Sequence, residues 1–243
     1  MDKNRRSFMG TRTWIEMYEV HPPRNASPEV LLRDLPPPGF GFLSISDNPG
    51  AMPAMSATAA ASHLIRNGYD PILMINCRDR NRIDIQSVVL GAVSLGVRFF
   101  LIQPGIHQTL GPMREAKNVY DIDPIQTLKI LNDMRRKRVF SNYSRISGTL
   151  DFFVGLFEHP MRGDLEMKPF FFRKKLWHEV DFIVTDPIID FDRLTAWRSA
   201  IAGVEGSERI PIFIGLPDVH GSVPETIRQS GHYAGVYYTG SVT

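Results

Sequence analysis

A single cysteine in 243 residues, Cys77, rules out an intramolecular disulfide and suits a reducing compartment. No apolar run approaches the roughly twenty residues that a membrane span needs. The opening MDKNRRSFMG also lacks the apolar core of a signal peptide. An excess of one sign of charge is lacking: a formal balance of +2 gives no argument for nucleic acid or for an acidic membrane surface. The basic run Arg135-Arg136-Lys137-Arg138 reads as a solvated helix end rather than a binding patch. Familiar catalytic signatures are missing too. There is no Gly-x-Gly-x-x-Gly turn, no Gly-x-Ser-x-Gly elbow, no His-x-His and no His-Glu-x-x-His, so no metal ligands are expected. Cys77 sits inside a buried strand with no basic partner at a fixed spacing, which argues against a nucleophile. These absences leave a cytoplasmic protein, with a flexible segment at residues 1–12 and one domain at 13–243.

What is present is a repeated strand, polar loop and helix. Hydrophobic residues make up 43% of the chain, enough for one large core. Residues 71–77 form an apolar run of strand length, and residues 83–95 carry Ile85, Val88, Val89, Ala92 and Val93 at helical spacing. A strand at 97–102 follows at once. Upstream, residues 14–20 form a first strand stopped by His21-Pro22-Pro23, and Ser27-Pro28 reads as a helix start. Residues 41–46 form a second strand, and Ser56 caps a helix that Gly68 ends.

Downstream, Asp123-Pro124 opens a helix at 125–136, and strands are expected at 151–157, 181–185, 210–216 and 235–238. Helices at 165–180, 191–202 and 224–230 separate them, with the run Phe170-Phe171-Phe172 expected in the core. Seven strand-helix units and a last strand predict a (β/α)8 barrel of TIM type, single-domain, with its last helix absent or truncated.

In such a barrel the carboxyl ends of all the strands converge on one face. That rule gathers Glu19 and His21; Ser46, Asp47 and Asn48; Asn76, Arg78, Asp79 and Asn81; Gln103 and His107; Glu158 and His159; Thr185 and Asp186; and Asp218 and His220. Glu19 is the sharpest candidate. At the end of an apolar strand it is either a surface carboxylate or a partly buried acid whose pKa burial would raise toward general-acid work.

These residues together resemble the methylenetetrahydrofolate reductase family. The likeness is carried by Tyr18-Glu19-Val20-His21-Pro22-Pro23, by Ser44-Ile45-Ser46-Asp47-Asn48-Pro49 and by Cys77-Arg78-Asp79-Arg80-Asn81 with the helix behind it. Leu95-Gly96-Val97, Tyr120-Asp121-Ile122-Asp123 and Asp181-Phe182-Ile183-Val184-Thr185 extend it over nearly the whole chain. The resemblance implies a (β/α)8 barrel and an oxidoreductase of folate one-carbon metabolism. It would interconvert 5,10-methylene- and 5-methyltetrahydrofolate by hydride transfer, with NAD(P)H as donor, FAD at the strand ends and Glu19 as general acid. Cofactor contacts would fall to Ser46, Asn48, Asn76, Arg78, Asp79 and Asn81, and substrate contacts to Asp186, Thr185 and Gln103.

Three positions depart from the family pattern. Gly105-Ile106 and Met74 stand where the family has flavin-site residues, and Thr185-Asp186 replaces Thr-Gln. The alternative the sequence leaves open is a non-redox subunit that binds reduced folate without flavin and works with a methyltransferase or corrinoid partner. A homo-oligomer is also compatible.

Overall fold

Strands that read as continuous apolar runs must be covered on both faces, and a closed parallel barrel wrapped in helices does so. A computed structural model describes residues 14–39, 41–218 and 220–240, and it has that architecture. Eight parallel strands close in sequence order: β1 (Ile15–Val20), β2 (Phe42–Ile45), β3 (Pro71–Asn76), β4 (Phe99–Gln103), β5 (Phe153–Glu158), β6 (Phe182–Pro187), β7 (Ile212–Leu216) and β8 (Gly235–Tyr238). The helices between them are α1 (Pro28–Leu32), α2 (Ala57–Arg66), α3 (Arg82–Ser94), α4 (Pro124–Asn132), α5 (Lys168–Trp177), α6 (Phe191–Ile201) and α7 (Glu225–Gln229). This is the (β/α)8 barrel that the strand and helix pattern predicts. The expected flexible residues 1–12 lie outside the described residues.

Alternation sorts each strand into two cores. Ile15, Met17, Ile72, Met74, Phe99, Leu101, Phe153, Phe182, Val184, Phe213 and Tyr237 fill the barrel interior. Val20, Ile45, Leu73, Ile75, Phe100, Val154, Ile183 and Ile214 face outward under the helices. Each large side chain so covered contributes about 1.5–3 kcal/mol relative to leaving it in water. Of the aromatic run only Phe172 belongs to the core, edge-on to Trp197 of α6. Phe170 and Phe171 stay half exposed, because successive helical residues turn through about 100° and cannot all face inward.

The helices start where their caps predict. Ser56 accepts a hydrogen bond from Ala59 N at 3.3 Å, and Asp123 forms a reciprocal capping box with Gln126. Pro169 falls in the first turn of α5, where its missing N–H costs nothing. After α4 the chain continues as a π-type turn, Asp133–Lys137. Here the expected solvated basic run needs correction. Arg135 is only 9% exposed and its Nη1 lies 2.6 Å from Asp181 Oδ2, while Arg136 pairs with Glu179 and Lys137 with Asp133 at the surface.

One irregularity positions the mouth. The β6–β7 register shifts between Val184 and Pro187, and a Cβ on Gly215 would fall 2.3 Å from Thr185 O, so only glycine permits this approach. Thr185 Oγ1 donates to Asp186 O and accepts from Gly215 N at 2.8 Å. A bulge of this kind re-aims the side chain beside it, which here is Asp186.

Candidate functional site at the barrel mouth

Strand parity decides which polar residues reach the mouth. Glu19 follows Ile15 and Met17 on the inward face of β1; Asn76 follows Ile72 and Met74 on β3; Gln103 follows Phe99 and Leu101 on β4. On β5 the inward residue is Phe157, whose ring meets Tyr237 edge-on. Glu158 therefore points outward, beneath α5, where it pairs with Lys175 and sits 3.8 Å from Lys168 Nζ. Burial raises its carboxyl, and the two ammonium groups outweigh that and hold it low. A mouth position for Glu158 is thus corrected by a one-residue parity.

The β1, β2 and β8 side of the mouth holds an acid cluster. Glu19 is 17% exposed and its Oε1 accepts from Ser46 Oγ at 2.5 Å, with His21 Nε2 at 3.4 Å. Below it lie the buried side chains of Ser44 and Tyr237, with the Tyr237 phenol facing both Ser44 and the Glu19 carboxylate. Burial first, and then the Glu19 carboxylate, keep the Tyr237 phenol protonated far above its usual range. His21, Pro22 and Pro23 open beside Pro49 and Gly50 into a groove of ≈ 510 Å³. Sequence reasoning missed Ser44 and Tyr237. Counting inward parity back from Ser46, and forward from Gly235, would have found both.

The loops after β2 and β3 hold most of the charge, and they use it on one another. Arg80 grips both oxygens of Asp47 at 3.0 Å and reaches Asp84 at 2.5 Å. Asn76 donates to Asp47 O at 2.9 Å and to Asp79 at 3.0 Å, and its Oδ1 receives the backbone N–H of Arg78 and Asp79. Arg78 clamps Asp79 at 2.7 and 2.6 Å and also donates to Ile106 O and Asn48 O. Asn48 Nδ2 completes the Asp79 shell at 3.0 Å. Asn81 caps α3 through the N–H groups of Ile83 and Asp84.

Burial opposes the Asp79 charge, yet the hydrogen bonds from Arg78, Asn48 and Asn76 bring its pKa down to about 2. Gly105 closes this clasp. At φ +76 its missing Cβ would stand 3.0 Å from Asn76 Oδ1 and from Arg78 Cβ.

On the β5 and β6 side, Asp186 is 8% exposed. Its Oδ2 has only long contacts, His159 Nδ1 at 3.4 Å and Arg162 Nε at 3.5 Å. Its Oδ1 is buried with no partner among the described residues. Asp186 does not cap the following helix; Asp190 does, through Arg193 N at 2.9 Å. The hydroxyl of Thr185 is held by the β6–β7 backbone. His107 and His220 are exposed on loops, and Asp218 accepts from His220 N within its own turn. Cys77 is buried against Thr127, and burial pushes its thiol up to about 11. Among the described residues no group of three or more His, Cys, Asp or Glu is placed to hold a metal ion. No helix among them is long and apolar enough to cross a membrane.

No protein-family model matches the chain, and no curated protein matches it in sequence. Solved structures share the fold. One is 2,3-dimethylmalate lyase, a PEP mutase/isocitrate lyase superfamily member, at 14% identity and TM-score 0.59 over 97% of this chain and 79% of that one. Oxaloacetate acetylhydrolase matches at 14% identity and TM-score 0.60, over 98% and 79%. An uncharacterised protein from Clostridium thermocellum, which binds two copies of 5-methyl-5,6,7,8-tetrahydrofolic acid, matches at 9% identity and TM-score 0.63, over 96% and 91%.

These findings correct the resemblance. The similar structures named above are lyase and acetylhydrolase barrels and a folate-binding barrel, and no family model matches, so the expected NAD(P)H-linked oxidoreductase is not supported. The geometry supplies a reason. Asn48, Asn76, Arg78, Asp79 and Asn81, assigned to FAD by the resemblance, are engaged in the loop clasp and a helix cap, and Ser46 is bonded to Glu19. Met74 is sealed in the barrel interior. A flavin at this loop is not supported.

Proposed function

We propose that the barrel mouth binds a reduced folate, with Asp186 receiving the pterin edge and Glu19 exchanging a proton with the bound ring. The observation that carries this reading is Asp186 Oδ1, a buried carboxylate oxygen at the strand ends without a donor among the described residues. Leaving a buried charged acceptor unsatisfied costs more than leaving a neutral one, on the order of 1–3 kcal/mol or above, so a donor is expected to come from a ligand. A reduced pterin presents a ring N–H and an exocyclic amine side by side, which a carboxylate accepts through both oxygens. The Oδ2 contacts at 3.4 and 3.5 Å are loose enough to admit a second donor.

Glu19 supplies the complementary chemistry. It is partly buried, bonded to Ser46 and backed by the protonated Tyr237, so it can deliver or take a proton at the mouth. Gln103, inward at the end of β4, offers an amide to the ligand's other polar edge. The 5-methyltetrahydrofolic acid bound by the Clostridium thermocellum barrel supports the ligand class.

Titration calorimetry with 5-methyltetrahydrofolate tests the reading. Wild-type protein should bind saturably, and Asp186→Asn should weaken binding at least tenfold, equivalent to about 1.4 kcal/mol, with little change in melting temperature. Oxaloacetate serves as the comparison ligand, since a structurally similar barrel is an oxaloacetate acetylhydrolase. Saturable oxaloacetate binding without folate binding would sink the proposal.

A further inference from the structure

Outside the mouth, a partly buried arginine lacks acceptors among the described residues. Arg198, on the last turns of α6, has its Nε and Nη1 buried without any hydrogen-bond acceptor among the described residues. It lines a groove of ≈ 390 Å³ between α6 and α7, together with Ser199, Thr226, Ser230, His232 and Tyr233. Helix α6 runs back from the carboxyl end of β6, and residues 232–233 lead into β8, so this groove lies at the opposite rim from the mouth. Nothing in the proposed folate site reaches it.

The lining is chemically one-sided. Arg198 donates only, and no carboxylate lines the groove. Burial pushes the Tyr233 phenol up to about 12, against the opposing charge of Arg198, so at neutral pH it remains a hydroxyl donor. Ser199 and Ser230 currently turn their hydroxyls onto the carbonyls of Thr195 and Ile227, bonds that a stronger acceptor can displace. A guanidinium with unmet N–H groups, a neutral phenol and several hydroxyls around an open groove make a set of donors awaiting an oxyanion.

We propose that the α6–α7 groove is a second ligand site, selective for a phosphate group, carried either by a small metabolite or as the free ion. The guanidinium binds the phosphate oxygens, and Tyr233 and Thr226 donate from the flanking walls.

The test uses inorganic phosphate as probe on the full chain, at constant ionic strength with chloride as background and acetate as a second anion. Wild-type protein should show saturable binding by calorimetry and a phosphate-dependent rise in melting temperature. Arg198→Gln should remove both. Because Arg198 Nε and Nη1 meet no acceptor among the described residues, this variant is expected to fold; Tyr233→Phe and Thr226→Val, each weakening phosphate at least threefold, provide the same test should it not. Prior saturation with 5-methyltetrahydrofolate should leave the phosphate isotherm unchanged. A small phosphorylated metabolite binding more tightly than phosphate would identify the source as a metabolite, and equal affinity would identify the free ion. Absence of saturable phosphate binding, binding retained in Arg198→Gln, or equal binding of acetate would each overturn the proposal.

Discussion

Two sides of the barrel mouth carry polar groups in similar density and use them in opposite ways. In the loops after β2 and β3, Asp47, Asn76, Arg78, Asp79 and Arg80 bond to one another across more than thirty residues of sequence, leaving little for a ligand. Beside them on β1, Glu19 has Ser46 and His21 as its contacts at the rim, and on β6 Asp186 keeps one oxygen without a donor among the described residues. The lesson is that charge density marks a site poorly; unmet hydrogen-bonding capacity marks it better. A satisfied network rigidifies, whereas an unsatisfied buried group waits for something.

The largest effect should come from breaking the satisfied side. Asp47 is almost wholly buried, and Asp47→Ala leaves the Arg80 guanidinium with Asp84 alone and the Asn76 backbone N–H without its acceptor. Removing one partner of such a buried pair typically costs ~3–5 kcal/mol, which urea unfolding should read as a large drop in midpoint. Glu19→Gln should behave in reverse, losing folate affinity several-fold while costing under about 1 kcal/mol of stability, since glutamine can still accept from Ser46. If Glu19→Gln destabilised as much as Asp47→Ala, the two sides would not differ as described.

A smaller effect follows from acid titration. The folded pKa of Asp79, about 2, lies below its ordinary 3.8. Its contribution is therefore fully present above pH 4, and it is lost as pH falls from there through about 2. Asp79→Asn should flatten that part of the pH–stability curve, measured by thermal melting. Smallest of all is the response of Cys77. With its thiol pushed up to about 11 by burial, it should resist a thiol reagent at pH 8 in the native state and react promptly in denaturant.

Much of the fold was legible in the chain because strands covered on both faces, such as β3, β4 and β7, read as largely apolar runs. Caps such as Ser56 and Asp123 are local, so the starts of α2 and α4 could be placed from neighbours alone. The site was harder to read because pairing is not local. Asp47 and Arg80 are 33 residues apart, and no spacing rule says that they meet. Read in isolation, the Arg78-Asp79-Arg80-Asn81 loop looks like a place for chemistry, and matched to a reductase motif it looks like a cofactor loop. In the folded chain it clasps two strand ends and caps a helix. Glu158 was misplaced for a different reason: residues just past a strand end invite inclusion in the mouth, and only parity relative to Phe157 shows that this one faces α5.

The most direct measurement is a crystal structure with 5-methyltetrahydrofolate. The expected result has the pterin's ring N–H and amine on the Asp186 carboxylate, the ring facing Glu19, and the Arg78–Asp79 and Arg80–Asp47 pairs unmoved. A folate seated on an opened Arg78–Asp79 loop, with Asp186 Oδ1 still without a donor, would contradict it.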